Sequence, residues 1–116
     1  MYEILNNLNR IEGVRGSLVI GRDGLVIAAD LGIDVNENAV AAVGSQILNS
    51  LQGALRRMQM GGFKRFVVTG RDGKIIIADG EVALLIIILE MEANMGLAGV
   101  EINEAIKDIT RKVKMS

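Results

Sequence analysis

The chain has 116 residues, of which 50 % are apolar and 23 % are charged, and its 13 basic and 14 acidic residues leave a net charge of -1. This composition excludes intrinsic disorder, because the chain can bury ample apolar surface, and it lacks the basic excess typical of nucleic-acid-binding proteins. Cysteine and histidine are absent, which excludes disulfide bonds, thiolate and imidazole metal ligands, and every mechanism that needs a histidine base.

The length is that of one compact domain, and we expect residues 1–116 to form it. The amino-terminal segment is amphipathic and polar, unlike a secretory signal. The longest uninterrupted apolar run covers residues 82–89, far fewer than the ~20 residues that a membrane-spanning helix needs. We therefore expect a cytoplasmic protein that does not insert into a membrane.

The first segment predicts a helix followed by a hairpin. Apolar residues recur at helical spacing over the first dozen positions, with Gly13 as the expected cap: Ile4, Leu5, Leu8 and Ile11. Residues 17–20 and 25–29 are short strand-like runs that flank Gly-Arg-Asp-Gly at 21–24. Asp-Gly between two such runs is a strong hairpin signal, since a tight turn needs the positive φ that glycine permits.

A long helix over residues 37–60 is predicted next. Asp34 or Asn36 can cap its beginning, Glu37 suits the positive end of the helix dipole, and Gly61 with Gly62 ends it. One apolar stripe runs along it and contains Val40, Val43, Ile47, Leu51, Ala54 and Met58. A second facet, which begins with small side chains, contains Ala41, Gly44, Leu48 and Leu55. A single sheet cannot cover both, so we expect a further partner for this helix.

Three more strands and a last helix complete the order. Residues 63–69 and 74–78 surround a second Gly-Arg-Asp-Gly turn, and residues 82–89 are apolar throughout, as in a strand covered on both faces. Residues 97–113 repeat apolar side chains at helical spacing. The order α-β-β-α-β-β-β-α predicts an α+β fold in which one five-stranded antiparallel sheet carries helices on both faces. We expect 82–89 at its centre and 63–69 at a free edge.

The two predicted hairpins share sequence. Residues 19–30 and 68–79 are identical at eight of twelve positions, at an offset of 49. Either a hairpin unit was duplicated or the same turn chemistry was used twice, and the second interpretation is the simpler one.

No motif for catalysis or phosphate binding is present. The chain has neither G-x-x-x-x-G-K-[ST] nor a G-x-G-x-x-G that opens a helix after a strand, and its serines have no histidine to activate them. Asp23 and Asp72 lie in equivalent turns, so a two-carboxylate site is conceivable. Aspartate before glycine is more typical of a turn in which it bonds the local backbone. We therefore expect no catalytic residue, no cofactor and no metal.

Basic residues surround the Gly61-Gly62 turn and alternate with two aromatic residues: Arg56, Arg57, Lys64 and Arg65 with Phe63 and Phe66. Such a pattern is compatible with nucleic-acid binding or with a protein-binding patch. The chain's negative net charge and the position of Arg56 and Arg57 at a helix end favour the plainer interpretation, charge at a helix terminus and an edge strand.

The second apolar facet and the free edge together predict a symmetric dimer. The small side chains of the facet permit close approach of another helix, and the edge strand is open to pairing with its copy. The expected interface residues are Ala41, Gly44, Leu48, Leu55, Phe63, Phe66 and Val68. The alternative is that the facet packs on a loop or on the first helix of the same chain.

The chain resembles the roadblock (dynein light chain) domain family over essentially its whole length. The resemblance lies in GVRGSLV at 13–19 leading to RDGL at 22–25, and in ALLII at 83–87 followed by NMGL at 94–97. It implies a noncatalytic, profilin-like fold that dimerises through the central helix and third strand and binds small Ras-like GTPases. Some bacterial members are homodimeric GTPase-activating proteins that supply no arginine finger, and eukaryotic members are scaffolds.

Two functions are therefore compatible with the sequence and with the resemblance. The first is a homodimeric regulator that binds a small Ras-like GTPase and stimulates its GTP hydrolysis, with Gln52, Arg56 and Gln59 on the partner-facing surface. The second is a passive dimeric scaffold that has no effect on nucleotide turnover. Neither involves nucleic acid.

Overall fold

The computed structural model describes residues 1–32 and 35–115, and within these ranges three helices and five strands follow the predicted order. Their bounds are α1 Tyr2–Asn9, β1 Val14–Ile20, β2 Val26–Asp30, α2 Glu37–Arg57, β3 Arg65–Thr69, β4 Lys74–Asp79, β5 Leu84–Leu89 and α3 Met95–Met115. The radius of gyration is 13.4 Å, as expected for one domain of this length. No helix in the described ranges is long and apolar enough to cross a membrane.

The five strands form one sheet in the order β2-β1-β5-β4-β3, and every neighbouring pair is antiparallel. The central position of β5 explains its unbroken apolar sequence, because both of its faces and both of its edges are covered. The predictions of the sheet, of its centre and of β3 as an edge strand are confirmed.

Each face of the sheet has its own apolar core. Helices α1 and α3 cover one face, where Leu85, Ile87 and Leu89 of β5 point, and helix α2 covers the other, where Leu84 and Ile86 point. This alternation follows from the two-residue period of a strand. The first face thus has two helices over it, and the second has one.

Helix α1 ends at Asn9, four residues before the predicted cap Gly13. The Asn9 side chain binds neighbouring strands: its Oδ1 accepts a hydrogen bond of 2.8 Å from the buried Ser17 hydroxyl, and its Nδ2 donates to the Asp30 carbonyl. Gly13 has φ +94°, and a Cβ there would lie 2.7 Å from that of Ala93. Glycine is therefore needed at position 13 because two loops approach each other closely there, and not because the residue caps α1.

Asparagine side chains cap both long helices. Asn36 Oδ1 accepts a hydrogen bond from the Ala39 backbone at the start of α2, as predicted, while the alternative cap Asp34 lies outside the described residues. Asn94 Oδ1 accepts one from the Leu97 backbone, so α3 begins at Met95, two residues earlier than expected.

Candidate functional site

Helix α2 rests on the sheet through its small-residue facet. Ala41 and Leu48 are 1 % and 2 % exposed, and a Cβ atom on Gly44 would lie 2.6 Å from Cδ1 of Ile86 in β5. The facet therefore permits close approach of α2 to its own sheet and not to a second helix. The prediction that Ala41, Gly44 and Leu48 form a dimer surface is wrong, because all three are buried within the chain.

The other apolar stripe of α2 lies beside the edge strand and is partly open. Val43 is 53 % exposed, and Ile47 and Leu51 are half-buried. Between this stripe and the edge strand runs an open groove, called here the α2–β3 groove, which is lined by Gln46, Ile47, Ser50, Leu51, Phe66 and Val68. Two of the predicted interface residues, Phe66 and Val68, thus line a surface groove.

Strand β3 is bonded on one side only. It pairs with β4, and no strand of the described ranges lies along its other edge, so the outer backbone groups of β3 are open to a further strand. Phe63 precedes the strand and is only 5 % exposed, and Leu55 packs half-buried against the same core as Phe63. The predicted surface role of Phe63 is wrong, because its ring belongs to the core of the α2 face.

The carboxyl end of α2 carries the three predicted partner-facing residues. The helix ends at Arg57 and not at residue 60, because Gln59 adopts a left-handed conformation with φ 57° and the Met60 backbone bonds back to the Leu55 carbonyl at 2.9 Å. Arg56 and Gln59 are exposed and Gln52 is half-buried. Arg56 and Arg57 stand at the negative end of the helix dipole.

The basic cluster predicted around residues 56–65 is divided in the structure. Arg56 and Arg57 lie at the end of α2, whereas Arg65 donates a 2.7 Å hydrogen bond to Asn103 of α3, on the opposite face of the sheet. Phe63 is buried, and Phe66 is half-buried in the α2–β3 groove, so the predicted alternation of cations with exposed aromatic rings is not formed. On the α3 face, partial burial and the nearby Lys112 ammonium lower the pKa of the Met1 amino group.

The two turn aspartates are not brought together. Asp23 Oδ1 accepts a hydrogen bond of 3.1 Å from the Leu25 backbone, as a turn aspartate should. Its turn follows Ile20, which pairs with Leu84, whereas the turn of Asp72 precedes Lys74, which pairs with Leu89 at the opposite end of β5. The described residues contain no cluster of metal-binding side chains.

The comparison with known proteins identifies the family. The sequence model of the Roadblock/LC7 domain matches residues 1–90. The chain belongs to this family. It is 30 % identical over 106 residues to the uncharacterized protein MJ1340 of Methanocaldococcus jannaschii, an alignment that covers 91 % of this chain and 93 % of that one. The roadblock identification made from the motifs is confirmed.

Solved structures agree on the fold. A Roadblock/LC7 domain from Streptomyces avermitilis superposes with a TM-score of 0.91 at 18 % identity, covering 100 % of this chain and 98 % of that one. The gliding protein MglB from Thermus thermophilus superposes with a TM-score of 0.88 at 20 % identity, covering 99 % of this chain and 89 % of that one. Acanthamoeba castellanii profilin IA superposes with a TM-score of 0.63 at 14 % identity, covering 94 % of this chain and 92 % of that one. This similarity confirms the profilin-like architecture.

Sequence reasoning missed Ile47 and Leu51 as groove residues and Val43 as an exposed residue of the same stripe, and it assigned the wrong stripe of α2 to the surface. A usable signal was present. The sheet face beneath α2 is built from bulky side chains such as Ile86, and only the facet with the smallest side chains, centred on Gly44, lets a helix lie close over them. The larger side chains are then left at the sides of the helix.

Proposed function

We propose that the protein is a noncatalytic homodimer that binds and regulates a small Ras-like GTPase in the cytoplasm, with residues 1–116 acting as a single roadblock domain. Membership of the Roadblock/LC7 family supports a role in GTPase regulation at the level of the family. The observation that carries the proposal is the α2–β3 groove, in which half-buried apolar side chains lie next to a free strand edge and continue into the exposed Val43 of the same helix stripe.

A second copy of the chain satisfies both features of this groove at once. Antiparallel pairing of β3 with its copy uses the open backbone groups, and the partner's α2 then covers Val43, Ile47 and Leu51. A stable interface of this kind buries roughly 1,200–2,000 Å² in total. Phe66 and Val68 keep the role predicted from the sequence, whereas Ala41, Gly44 and Leu48 support the interface only by seating α2 on the sheet.

In such a dimer the two α2 helices lie side by side and present their outer faces to a partner. Arg56 and Gln59, which are exposed at the end of α2, together with the half-buried Gln52, form the surface proposed to contact the GTPase. No catalytic group is assigned to them. Regulation would act by holding the GTPase's own residues in position.

The interface is tested with Val43→Glu. Val43 is 53 % exposed, so the isolated chain tolerates a carboxylate there, but a dimer would have to bury that charge without a partner. Light scattering should give the mass of a dimer, twice 12.5 kDa, for the unchanged protein. At the same concentration the variant should have the mass of a monomer, 12.5 kDa.

The matched control is Leu25→Glu, which introduces the same charge at a large apolar side chain that is 69 % exposed and lies outside the groove. It should leave the mass unchanged. A folded Val43→Glu variant that remains a dimer would rule out the proposed interface, in which the partner's α2 covers Val43 together with the groove residues Ile47 and Leu51. Leu48→Glu is not a suitable test, because Leu48 is buried and its substitution would unfold the chain.

The regulatory role is tested by single-turnover GTP hydrolysis with a Ras-like GTPase encoded in the same genome. Acceleration that is reduced at least tenfold by Arg56→Ala supports an activator. Co-elution of the two proteins without acceleration would instead give the protein the second function, a passive scaffold. Neither acceleration nor co-elution with any such GTPase would contradict the proposal, even if the dimer itself were established.

A further inference from the structure

A second groove lies on the opposite face of the sheet from α2. Helix α3 forms one wall, and the ends of β3 and β4 with the turn that follows β4 form the other. Its two parts have volumes of ≈ 590 Å³ and ≈ 430 Å³ and adjoin each other, because Asp79, Glu81 and Ile106 line both. We call this the α3 groove. The α2–β3 groove and the proposed dimer contact do not involve it.

The lining of the α3 groove is strongly basic. Five cationic side chains line it against two carboxylates, those of Asp79 and Glu81; the cations are Lys64, Arg65, Lys107, Arg111 and Lys114. One of the two carboxylates is already neutralised, because Asp79 Oδ1 lies 2.7 Å from the Arg22 guanidinium. In a chain whose net charge is -1, this is a local concentration of positive charge.

The opposite side of α3 carries the opposite charge. Three carboxylates line the groove between α3 and α1, where no cation contributes to the lining: Glu101, Glu104 and Asp108. The helix dipole favours cations in the last turn of α3, which accounts for Lys114. Pairing at i,i+3 with Glu104 and Asp108 gives Lys107 and Arg111 a small stabilising role in the helix. Neither effect requires cations from β3 and α3 to line the same groove.

The cations of the α3 groove are available to a ligand. The ammonium groups of Lys64 and Lys114 make no ion pair among the described residues. Lys107 and Arg111 are paired with Glu104 and Asp108 at 3.5 and 3.4 Å, but all four side chains are largely exposed. Such exposed pairs contribute little to stability, and their cations can bind another carboxylate instead.

We propose that the α3 groove binds an extended acidic peptide segment of a partner protein. From Asn103 to Lys114 the helical wall is ~17 Å long at 1.5 Å per residue, which matches about five residues of extended chain at ~3.3 Å each. Carboxylates of the peptide would meet the row of cations, and an apolar side chain between them would rest on Ile106, which lines both parts of the groove.

Nucleic acid fits the groove less well than a peptide does. The sugar-phosphate backbone of a nucleic acid has no N–H donor for the carboxylates of Asp79 and Glu81, whereas these carboxylates can accept hydrogen bonds from the backbone N–H groups of a peptide. Single-stranded nucleic acid also needs aromatic rings to stack on. The chain has only one tyrosine and two phenylalanines, and the one that borders this groove, Phe63, is buried.

The proposal is tested by fluorescence anisotropy with a labelled seven-residue peptide of alternating glutamate and leucine, using the whole protein. Lys107→Glu combined with Arg111→Glu should weaken binding at least tenfold. The control combines Lys112→Glu, on the same helix but outside the groove lining, with Arg71→Glu at the far end of the sheet. This control variant changes the net charge by the same amount as the Lys107→Glu/Arg111→Glu variant, called here the groove variant. Its affinity for the peptide should stay within twofold of that of the unchanged protein. Lys107→Gln with Arg111→Gln, which adds no repulsion, should weaken binding about threefold.

Other results would overturn the proposal. One is equal loss of affinity in the groove variant and in the control; another is equally tight binding of a peptide with lysine in place of glutamate. An oligonucleotide that binds more tightly than the peptide, and is released by the groove variant, would make the groove a nucleic-acid site. Growth in mass of the protein alone, abolished by the groove variant, would assign the groove to a second copy.

Discussion

The same tetrapeptide, Gly-Arg-Asp-Gly, forms two hairpin turns that differ in nearly every contact. In the first turn, residues 21–24, Arg22 donates hydrogen bonds of 2.7 and 3.5 Å to the Asp79 carboxylate and one of 2.8 Å to the Glu81 carbonyl. In the second turn, residues 70–73, Arg71 and Asp72 are exposed, and their side chains have no hydrogen bond or ion pair in the described structure. Identical local sequence thus has two different roles.

The backbones of the two turns differ as well. The first hairpin has a register shift between Val19 and Ile20, and Gly24 takes φ +88°. The second keeps a regular register up to the pair Thr69 and Lys74, and its last glycine has no positive φ. The identity between the two hairpins therefore does not extend to a repeated structure.

The cause lies in how each hairpin joins β5. The first hairpin contacts β5 through its first strand, β1, and the second through its second strand, β4. Since all three strands are antiparallel to their neighbours, the two turns point to opposite ends of the sheet. Only the first turn lies beside the β4–β5 connection, where Asp79 and Glu81 offer acceptors. The sheet order, and not the tetrapeptide, decides which arginine is bound.

The largest expected difference between the turns comes from their last glycines. Gly24→Ala puts a Cβ on a backbone with positive φ and 2.9 Å from the Ser45 hydroxyl oxygen, which should lower the free energy of unfolding by about 2 kcal/mol. Gly73→Ala has no such strain and meets one carbonyl, that of Leu89, at 3.0 Å. Urea unfolding at one fixed protein concentration measures both, and a larger loss for Gly73→Ala would contradict the comparison.

Much of the fold could be predicted from sequence because hydrophobic period and turn residues are local signals. They identified all eight elements, the central strand and the free edge. The surface of α2 could not be assigned in the same way, since both of its stripes are apolar. Which stripe faces the sheet depends on the size of Ile86 beneath Gly44, and this contact joins positions 42 residues apart.

The α3 groove escaped the sequence reasoning for a related reason. Its cations come from two separate segments, residues 64–65 and 107–114, and neither segment is exceptional alone. Proximity in sequence places Arg65 with Arg56 and Arg57, but the alternation of side chains along β3 directs Arg65 to the α3 face, where it donates a hydrogen bond to Asn103. The concentration of positive charge in the α3 groove arises only when the two segments are brought together by folding. The order of residues along the chain does not show it.

The two arginines give the next largest difference. Arg22→Ala removes a partly exposed ion pair and a hydrogen bond to a backbone carbonyl, and it should cost about 1 kcal/mol of unfolding free energy. Arg71→Ala is the matched control, and its free energy of unfolding should stay within about 0.5 kcal/mol of that of the unchanged protein. Urea unfolding at low salt and at 1 M salt checks both, since screening should shrink the loss from Arg22→Ala. Equal effects of the two variants would remove the distinction between the turns.

The smallest difference concerns the two aspartates. Asp23→Ala deletes the acceptor for the Leu25 backbone N–H, a bond of 3.1 Å in an exposed turn where water can replace it, so the loss should be about 0.5 kcal/mol. Asp72→Ala deletes no such bond and should be neutral. Replacing Asp23 with Asn retains an acceptor oxygen, so Asp23→Asn should restore most of the stability in the same urea titration. If Asp23→Asn were as unstable as Asp23→Ala, the negative charge and not the hydrogen bond would stabilise the first turn.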